Sequence, residues 1–456
     1  MPFSTLILAA GAGTRMKSAR AKVAHELLGK PLVRWVIDAA QEAGSKRIIT
    51  VVGHACEQVI PLVDDTTVVV QEERLGTGHA VMIAREALVY DRESLVVLCG
   101  DTPLITPATI SALVALQQES GAAISLLTHV LDDPTAYGRV IRDEQGNVLR
   151  IVEEKDATPA ERAVKECNSG AYSFDVPLLL KCLAELDNDN AQGEYYLTDV
   201  VGMCVSQGLV VKAHVVSADE TLGINSRGQL AQATKSMQRR INAAHMAAGV
   251  TMLDPDLVWV GPDVTMETDV ELLPLTMLCG KTSVGSGSVL GPNTRVTNSI
   301  IGRDCHVDES VLICATLEDG VTCGPRAYLR PGTVMKVGSK AGTHVEIKNS
   351  TVGPDSKVPH LSYLGDATLG EGVNIGAGSI TCNSDGAAKH PTVIGDRAFI
   401  GSDTMLVAPV TVGADTVTGA GSVITANVPD GALALERTRQ VVVDDWTRTH
   451  KKEKPQ

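Results

Sequence analysis

The chain has 456 residues, a formal net charge of −14, 44% apolar residues and only 3% aromatic residues. This length exceeds what one hydrophobic core usually supports, so two or three domains are expected. The acidic balance argues against nucleic acid or an anionic membrane as a partner, and no apolar run is long enough for a membrane helix. Ten scattered cysteines without a C-x-x-C pair indicate reduced thiols in a cytoplasmic protein.

The first half of the chain alternates apolar strands with amphipathic helical segments. The predicted strands are 5–10, 46–52, 67–70 and 94–99, and the predicted helices include 31–43 and 80–88. This order predicts a Rossmann-like α/β domain over residues 1–226, with a mostly parallel sheet. In such a sheet, ligands bind beyond the carboxyl ends of the strands.

The first strand runs into Gly11-Ala12-Gly13-Thr14-Arg15, with Lys22 seven residues after Arg15. The segment is not a P-loop, since no Gly-Lys-Ser/Thr follows, and it lacks the third glycine of the dinucleotide fingerprint. A plain tight turn is the alternative. The nearby pair of cations favours a loop that holds triphosphate oxygens.

Two further turns follow predicted strands. Gly100-Asp101 ends the fourth strand, where a carboxylate can hold Mg²⁺ against a nucleotide, although a helix cap is the structural alternative. Gln71 and the turn Leu75-Gly76-Thr77-Gly78 can present amide edges to a base. Residues 227–247 contain no proline and carry a partial apolar stripe, so they are predicted to form a linker helix.

A six-residue repeat organises residues 248–456, the third predicted segment. Its clearest stretch is the aliphatic ladder Ile394, Ile400, Leu406, Val412, Thr418 and Ile424. This period fits a solenoid in which each unit supplies one strand and one corner, and three units complete a coil. A β-sandwich is the alternative, but its turns recur every 8–12 residues without a fixed phase. The ladder breaks at 381–386, which predicts a loop that leaves the coil.

The segment Leu8 to Met16, Lys22, the Leu75–Gly78 turn and Gly100-Asp101 resemble those of sugar-1-phosphate nucleotidyltransferases. The hexapeptide solenoid is similar to a family of coenzyme A-dependent acyltransferases with a left-handed parallel β-helix. Together the two halves resemble a bacterial bifunctional family that joins N-acetylglucosamine-1-phosphate uridyltransferase to glucosamine-1-phosphate N-acetyltransferase. The resemblance covers essentially the whole chain. It implies a homotrimer that uses Mg²⁺, UTP and acetyl-CoA.

The resemblance implies roles for residues of the first half. Arg15 and Lys22 are the expected catalytic cations, and Asp101 and Asn225 the expected metal ligands. The expected nucleotide and N-acetylglucosamine contacts are Leu8, Ala9, Ala10, Gly11, Lys22, Gln71, Gly76, Thr77, Cys99, Gly100, Asp101, Gly138, Glu153, Asn168 and Asn225. Ala21 and Cys99 depart from the proline and tyrosine usual in the family, which affects local contacts rather than the chemistry.

The resemblance also implies roles in the second half. His360 is the expected general base, because acetyl transfer to an amine requires removal of a proton; a structural histidine is the alternative. Sugar phosphate and sugar are expected at Arg330, Lys348, Tyr363 and Asn374, and acetyl-CoA at Ala377, Asn383, Ser384, Ser402, Ala420 and Arg437. Ser384 replaces the family's usual tyrosine, so one expected acetyl-CoA contact differs from that of the family.

The sequence therefore predicts a bifunctional enzyme of UDP-N-acetylglucosamine synthesis. Its alternatives are a single-function nucleotidyltransferase with a regulatory β-helix and an inactive nucleotide-binding scaffold. His360 with Arg330 and Lys348 argues against the first alternative. The presence of Arg15, Lys22, Asp101 and Asn225 argues against the second.

Overall fold

The computed structural model describes residues 2–88 and 93–449; the tail at 451–456, predicted to be disordered, lies outside them. The chain divides into two compact units, Met1–Gln238 and Arg239–Gln456, and the division falls inside the helix Arg227–Ala247. The domain boundaries at residues 226 and 247 stay a prediction. Within the described residues, no helix combines the length and the apolar character that crossing a membrane requires.

The first unit is built on one nine-stranded sheet. Its strands are β1 (Phe3–Ala9), β2 (Ile48–Val52), β3 (Thr67–Val70), β4 (Ser94–Cys99), β5 (Ile124–Val130), β6 (Arg139–Arg142), β7 (Val148–Val152), β8 (Glu166–Asp175) and β9 (Val211–Val215). The spatial order is β9-β5-β8-β4-β1-β2-β3, and the hairpin β6-β7 pairs with β8. A separate ribbon joins Glu26–Leu27 to Lys30–Pro31.

The expected parallel arrangement holds only for part of this sheet. Strands β1 to β4 pair in parallel, whereas β8 runs antiparallel to β4, β5 and β6. Because β6 and β7 are joined by a short turn, they also have to pair antiparallel. The sheet is therefore mixed, and its parallel half carries the edge at which a ligand site is expected.

Helices cover both faces of the sheet and enclose two apolar cores. The α-helices of the chain are Leu32–Glu42, Cys56–Val59, Thr77–Ile83, Arg85–Leu88, Pro107–Ser120, Pro159–Arg162, Val176–Glu185, Asp199–Ser206, Ala218–Thr221, Arg227–Ala247 and Trp446–Thr449. Short 3₁₀ turns lie at Thr14–Met16, Lys22–Ala24, Ile60–Leu62 and Pro255–Leu257. The helical segment predicted over 80–88 is divided into two short helices, because Ala84, at a ψ of 0°, ends the first of them.

The second unit is a left-handed parallel β-helix with three faces, as predicted. The first face contains Thr251–Met252, Glu271–Leu272, Val289–Leu290, His306–Val307, Thr322–Cys323, Lys340–Thr343, Lys357–His360, Asn374–Ile375, Phe399–Ile400, Val417–Thr418 and Leu433–Ala434. The second contains Trp259–Val260, Met277–Cys279, Arg295–Thr297, Val311–Ile313, Tyr328–Leu329, Glu346–Lys348, Tyr363–Gly365, Ile380–Cys382, Met405–Val407 and Val423–Ile424. The third contains Thr265–Met266, Ser283–Val284, Ile300–Ile301, Thr316–Leu317, Val334–Met335, Thr351–Val352, Ala367–Leu369, Thr392–Ile394 and Val410–Val412.

The hexapeptide ladder forms the core of this prism. Every predicted ladder position from Ile394 to Ile424 is at most 5% exposed. The loop expected near 381–386 is also present: the coil from Asn374 to Phe399 spans 25 residues, whereas the coil from Lys357 to Asn374 spans 17. The additional residues form a small hairpin in which Ser384 pairs with Lys389.

Candidate functional site

A cavity of 720 Å³ lies at the carboxyl ends of β1 and β4. Nine of the predicted nucleotide-site residues line it: Leu8, Ala10, Gly11, Lys22, Gln71, Gly76, Thr77, Cys99 and Asp101. Because side chains alternate along a strand, Ala9 instead packs into the opposite core and does not line the cavity. Three residues that were not predicted also line the cavity, Glu72, Arg74 and Glu194; they belong to no recognisable motif.

Lys22 forms an ion pair with Asp101 at the cavity and a hydrogen bond with Asn225. The Lys22 ammonium lies 2.5 Å from Asp101 Oδ2 and 3.1 Å from Asn225 Oδ1. The Lys22 and Asp101 side chains are each only 14% exposed. Ile224 N–H donates to the Asp101 carbonyl at 2.9 Å, which ties the two oxygen-bearing residues together. The cation is thus held between two oxygen acceptors.

The same two oxygens fit a magnesium ion. Mg²⁺ prefers hard oxygen donors and is often held by one or two protein groups together with substrate phosphates. Asn225 Nδ2 donates to the Gly223 carbonyl at 3.2 Å, which turns Oδ1 toward Lys22. Among residues 2–88 and 93–449, no three His, Cys, Asp or Glu side chains gather as a metal site. Water or substrate phosphate oxygens would have to supply the remaining ligands of an ion held there.

The glycine loop brings Lys22 close to the cavity floor. Gly13 has a φ of 60°, in the left-handed region, and a Cβ there would lie 2.5 Å from the Lys22 Cβ. Any other residue would clash with the lysine as well as strain the backbone. Arg15 is exposed on the 3₁₀ turn that follows. Burial raises the pKa of the Tyr137 phenol, the charge of Asp101 raises it further, and the charge of Arg15 lowers it.

The predicted sugar residues come together beside β4. Asn168 N–H donates to the Gly138 carbonyl at 2.9 Å, and a Cβ on Gly138 would lie 3.4 Å from Glu153 Oε1. The Glu153 carboxylate accepts from Thr198 Oγ1 at 3.2 Å. Burial raises the pKa of Glu153, and the carboxylates of Asp199, Asp156 and Glu194 raise it further. This pocket therefore favours a hydrogen-bonded ligand over a free anion.

Cys99 lies between the nucleotide cavity and the sugar residues. Its thiol points at the Gly170 carbonyl, 3.7 Å away. Burial, and then the charge of Asp101, raise the pKa of Cys99 to about 12. The thiol is therefore neutral and acts as a small apolar wall rather than a nucleophile.

In the solenoid, four predicted residues occupy one equivalent corner of successive coils. Each of these residues comes two positions after a residue that faces the interior of the prism. The pairs are Val358 and His360, Ile375 and Ala377, Ile400 and Ser402, and Thr418 and Ala420. Asp403 N–H donates to the Ala377 carbonyl, and Gly421 N–H donates to the Ser402 carbonyl. Arg437 Nη1 donates to the Ala420 carbonyl at 3.1 Å. These residues form a row, called here the first edge, that is open to solvent.

A second edge carries Arg330, Lys348 and Asn383, at the opposite end of the second-face strands. Arg330 Nη1 donates to Glu346 Oε1 at 2.8 Å, and Asn383 Nδ2 donates to Asp366 Oδ2 at 2.5 Å. Tyr363 begins the strand between the two edges, and its hydroxyl lies over Gly365, where a Cβ would clash with it. Asn374 lies on the first face beside Lys357, and Ser384 is exposed in the hairpin.

Both halves match known families. Residues 5–160 match the MobA-like NTP transferase domain, and residues 391–426 match the bacterial transferase hexapeptide family with six repeats. The chain is 49% identical to the bifunctional protein GlmU of Caldanaerobacter subterraneus subsp. tengcongensis over 443 residues, 97% of each chain. It is also 49% identical to the bifunctional protein GlmU of Heliobacterium modesticaldum over 451 residues, 98% of each chain.

The chain belongs to the GlmU family. The predicted bifunctional enzyme of UDP-N-acetylglucosamine synthesis is thereby confirmed, with uridylyltransferase and glucosamine-1-phosphate acetyltransferase activities. The GlmU fold predicted from the two sequence patterns, a nucleotidyltransferase domain followed by a hexapeptide β-helix, is confirmed as well.

Proposed function

We propose that uridylyl transfer takes place in the 720 Å³ cavity, where Lys22 lies between Asp101 and Asn225. This contact carries the proposal, because it gathers a cation and two oxygen ligands at the carboxyl end of a central strand. In the proposed arrangement Gln71, Gly76 and Thr77 bind the uracil end, and Gly11 with Lys22 bind the phosphates. Gly138, Glu153 and Asn168 hold the sugar.

The reaction is an attack by the sugar phosphate oxygen on the α-phosphorus of UTP, with pyrophosphate leaving. A Mg²⁺ bound by Asp101 and Asn225 would supply neutralisation of phosphate charge. Lys22 then donates to phosphate oxygens in place of the two side-chain oxygens that it contacts in the free chain. Arg15 adds a second cation from the exposed turn. Catalysis by these residues is positioning and charge stabilisation, because phosphoryl transfer requires little covalent participation by the protein.

We propose that acetyl transfer occurs on the second face of the solenoid. The glucosamine amine attacks the thioester carbonyl carbon of acetyl-CoA, and His360 accepts the proton that the amine loses. The new nitrogen–carbon bond replaces the carbon–sulfur bond, and coenzyme A leaves as a thiolate that takes up a proton. Ala377, Ser402 and Ala420 continue the His360 row for three further coils, and Arg437 contacts the last of these residues. The three coils span about 14 Å at the spacing of β-strands. This length suits an extended coenzyme A molecule. Arg330 and Lys348 bind the sugar phosphate as cations.

A homotrimer is proposed because the two edges lie at opposite ends of the same strands. Arg330 and Lys348 belong to the second edge, and His360 to the first. Neighbouring prisms that pack about a threefold axis can bring the first edge of one chain to the second edge of another. A cytoplasmic location is proposed from the ten free thiols, which suit a reducing compartment.

The test supplies glucosamine-1-phosphate, acetyl-CoA, UTP and MgCl₂ to the purified chain and follows products by chromatography. We expect N-acetylglucosamine-1-phosphate to appear first and UDP-N-acetylglucosamine second. Without acetyl-CoA, neither product should form. Addition of N-acetylglucosamine-1-phosphate to that mixture should then restore formation of UDP-N-acetylglucosamine. Analytical ultracentrifugation of the same sample should give three times the 48.0 kDa chain mass. Acetylation by a stable monomer would contradict the proposed shared site.

A further inference from the structure

Tyr172 lies beneath the predicted sugar residues and has no role in the mechanism above. It belongs to β8, four residues after Asn168, and the two side chains are in contact. The register of β8 against β5 shifts between Asn168 and Tyr172. At this irregularity Asn168 Nδ2 donates to the Tyr172 hydroxyl at 2.6 Å.

A second hydrogen bond fixes which end of the Asn168 amide faces the tyrosine. Gly170 N–H lies 3.2 Å from Asn168 Oδ1. A backbone N–H can only donate, so the amide atom that it contacts has to be the oxygen. The amide nitrogen then faces Tyr172, and one N–H and one oxygen lone pair remain for a ligand.

The tyrosine is a rigid and neutral acceptor. Its side chain is 2% exposed and its ring packs against Phe174, with centroids 5.3 Å apart. Burial, and then the charge of Glu153, hold the pKa of Tyr172 far above its usual value. The hydroxyl therefore keeps its proton at any working pH, and its position is set by the core rather than by solvent.

We propose that Tyr172 is a positioning residue for uridylyl transfer, which sets the Asn168 amide in the orientation that receives the N-acetylglucosamine unit. The inference rests on the proposed role of Asn168 in sugar binding. Without the hydroxyl, the Asn168 side chain has no partner for its inward N–H and can rotate. The sugar site then loses preorganisation, whereas the nucleotide site, lined by other residues, keeps it.

The test is a double-mutant cycle of Tyr172→Phe and Asn168→Ala in the full-length chain. Tyr172→Phe should raise the KM for N-acetylglucosamine-1-phosphate about 3–10-fold, the factor expected for one hydrogen bond. The KM for UTP and the acetylation rate should not change. In the Asn168→Ala background, Tyr172→Phe should have no further effect on the sugar KM, because its partner is already absent.

Ser173→Ala is the matched control. Ser173 is the next residue of β8, it faces the other side, and its buried hydroxyl donates to Gln117 Oε1 at 2.7 Å. This variant also removes a buried hydrogen bond from the strand, so a lower melting temperature without a change in sugar KM separates stability from positioning. An equal rise of the sugar KM in Ser173→Ala would overturn the proposal.

Two results separate the roles of the pair. If the sugar KM rises in Asn168→Ala but is unchanged in Tyr172→Phe, Asn168 binds the sugar and Tyr172 has no positioning role. An unchanged sugar KM in Asn168→Ala would remove both the sugar-binding role of Asn168 and the inference built on it. Additive effects in the double variant would also overturn the inference, because they would place Tyr172 outside the Asn168 interaction.

Discussion

The nucleotide cavity and the solenoid edges arrange polar groups in opposite ways. In the cavity, Lys22, Asp101 and Asn225 already contact one another and the Lys22 and Asp101 side chains are mostly buried. On the solenoid, His360, Ser402 and Arg437 are exposed and are spaced by the coil repeat. A folded sheet edge can therefore preorganise a site by itself, whereas a regular prism displays residues in rows that need a second surface to enclose a substrate.

The largest expected effect comes from removing the solenoid. A chain that ends at residue 238 should lose all acetyl transfer and trimer formation and keep uridylyl transfer, because the first unit has its own cores. A chain that ends at 226 should transfer uridylyl groups more weakly, because it lacks Gln229, whose Oε1 accepts from Asn225 N–H at 2.9 Å. Both activities and light scattering test this pair. A trimer of the shorter chains would contradict the comparison.

The next effect is expected in the cavity. Asp101→Asn should lower uridylyl transfer by about 10³-fold, since charge stabilisation at a phosphoryl oxygen is worth several kcal/mol. The substitution removes the charge partner of Lys22 and one proposed magnesium ligand. Acetyl transfer by the same preparation is the control and should be unchanged. If Asp101→Asn synthesises UDP-sugar at a near-normal rate at limiting Mg²⁺, Asp101 has no role in uridylyl transfer.

On the solenoid, His360→Ala should lower acetyl transfer by roughly 10²–10⁴-fold, the usual effect of losing a general base. Uridylyl transfer from supplied N-acetylglucosamine-1-phosphate should be unchanged. His306→Ala is the matched control, because His306 is also exposed on the first face. A folded His360→Ala chain that acetylates within about threefold of the parent rate would exclude a general base at this residue.

The smallest effect concerns charge burial in the first unit. Burial raises the pKa of Asp199 to about 6, and the Asp187 and Asp156 carboxylates contribute. Because the folded pKa is above the unfolded one, the native state favours the protonated acid. The group therefore destabilises the fold progressively as pH rises from 3.8 to about 6, and fully above that. Asp199→Asn should therefore stabilise the first unit at pH 7.5 by about 1 kcal/mol, after allowance for solvent screening.

Thermal melts at pH 7.5 and 4.5 test this prediction. The gain at pH 7.5 should be about 2–4 °C. It should be clearly smaller at pH 4.5, because the folded aspartate is protonated there, and it should be lost only below the unfolded pKa of 3.8. Asp415→Asn in the solenoid is the control: Arg397 contacts both Asp415 oxygens and lowers its pKa, so this substitution should not stabilise. A gain of equal size at both pH values would show that charge is not its cause.

Periodicity made the solenoid predictable. Ile394 to Ile424 specify the inward positions directly, and the break near Thr381 marks the hairpin. The first sheet was harder to predict, because β8 pairs with strands far away in sequence and its antiparallel direction leaves no local signal. A residue-by-residue resemblance indicated the cavity residues. It could not indicate Tyr172, whose contact with Asn168 depends on a register shift.

The coil repeat gives the solenoid a property that a globular core lacks. Coils add length in steps of one strand spacing, about 4.8 Å, without changing the packing of the others. A whole coil inserted before Tyr328 would lengthen the prism and leave the His360 row intact. A single inserted residue in the Ile394–Ile424 ladder would instead turn core aliphatics outward. The length of the prism should therefore vary by whole coils, whereas extra residues such as those of the Ser384–Lys389 hairpin have to leave the coil at a corner.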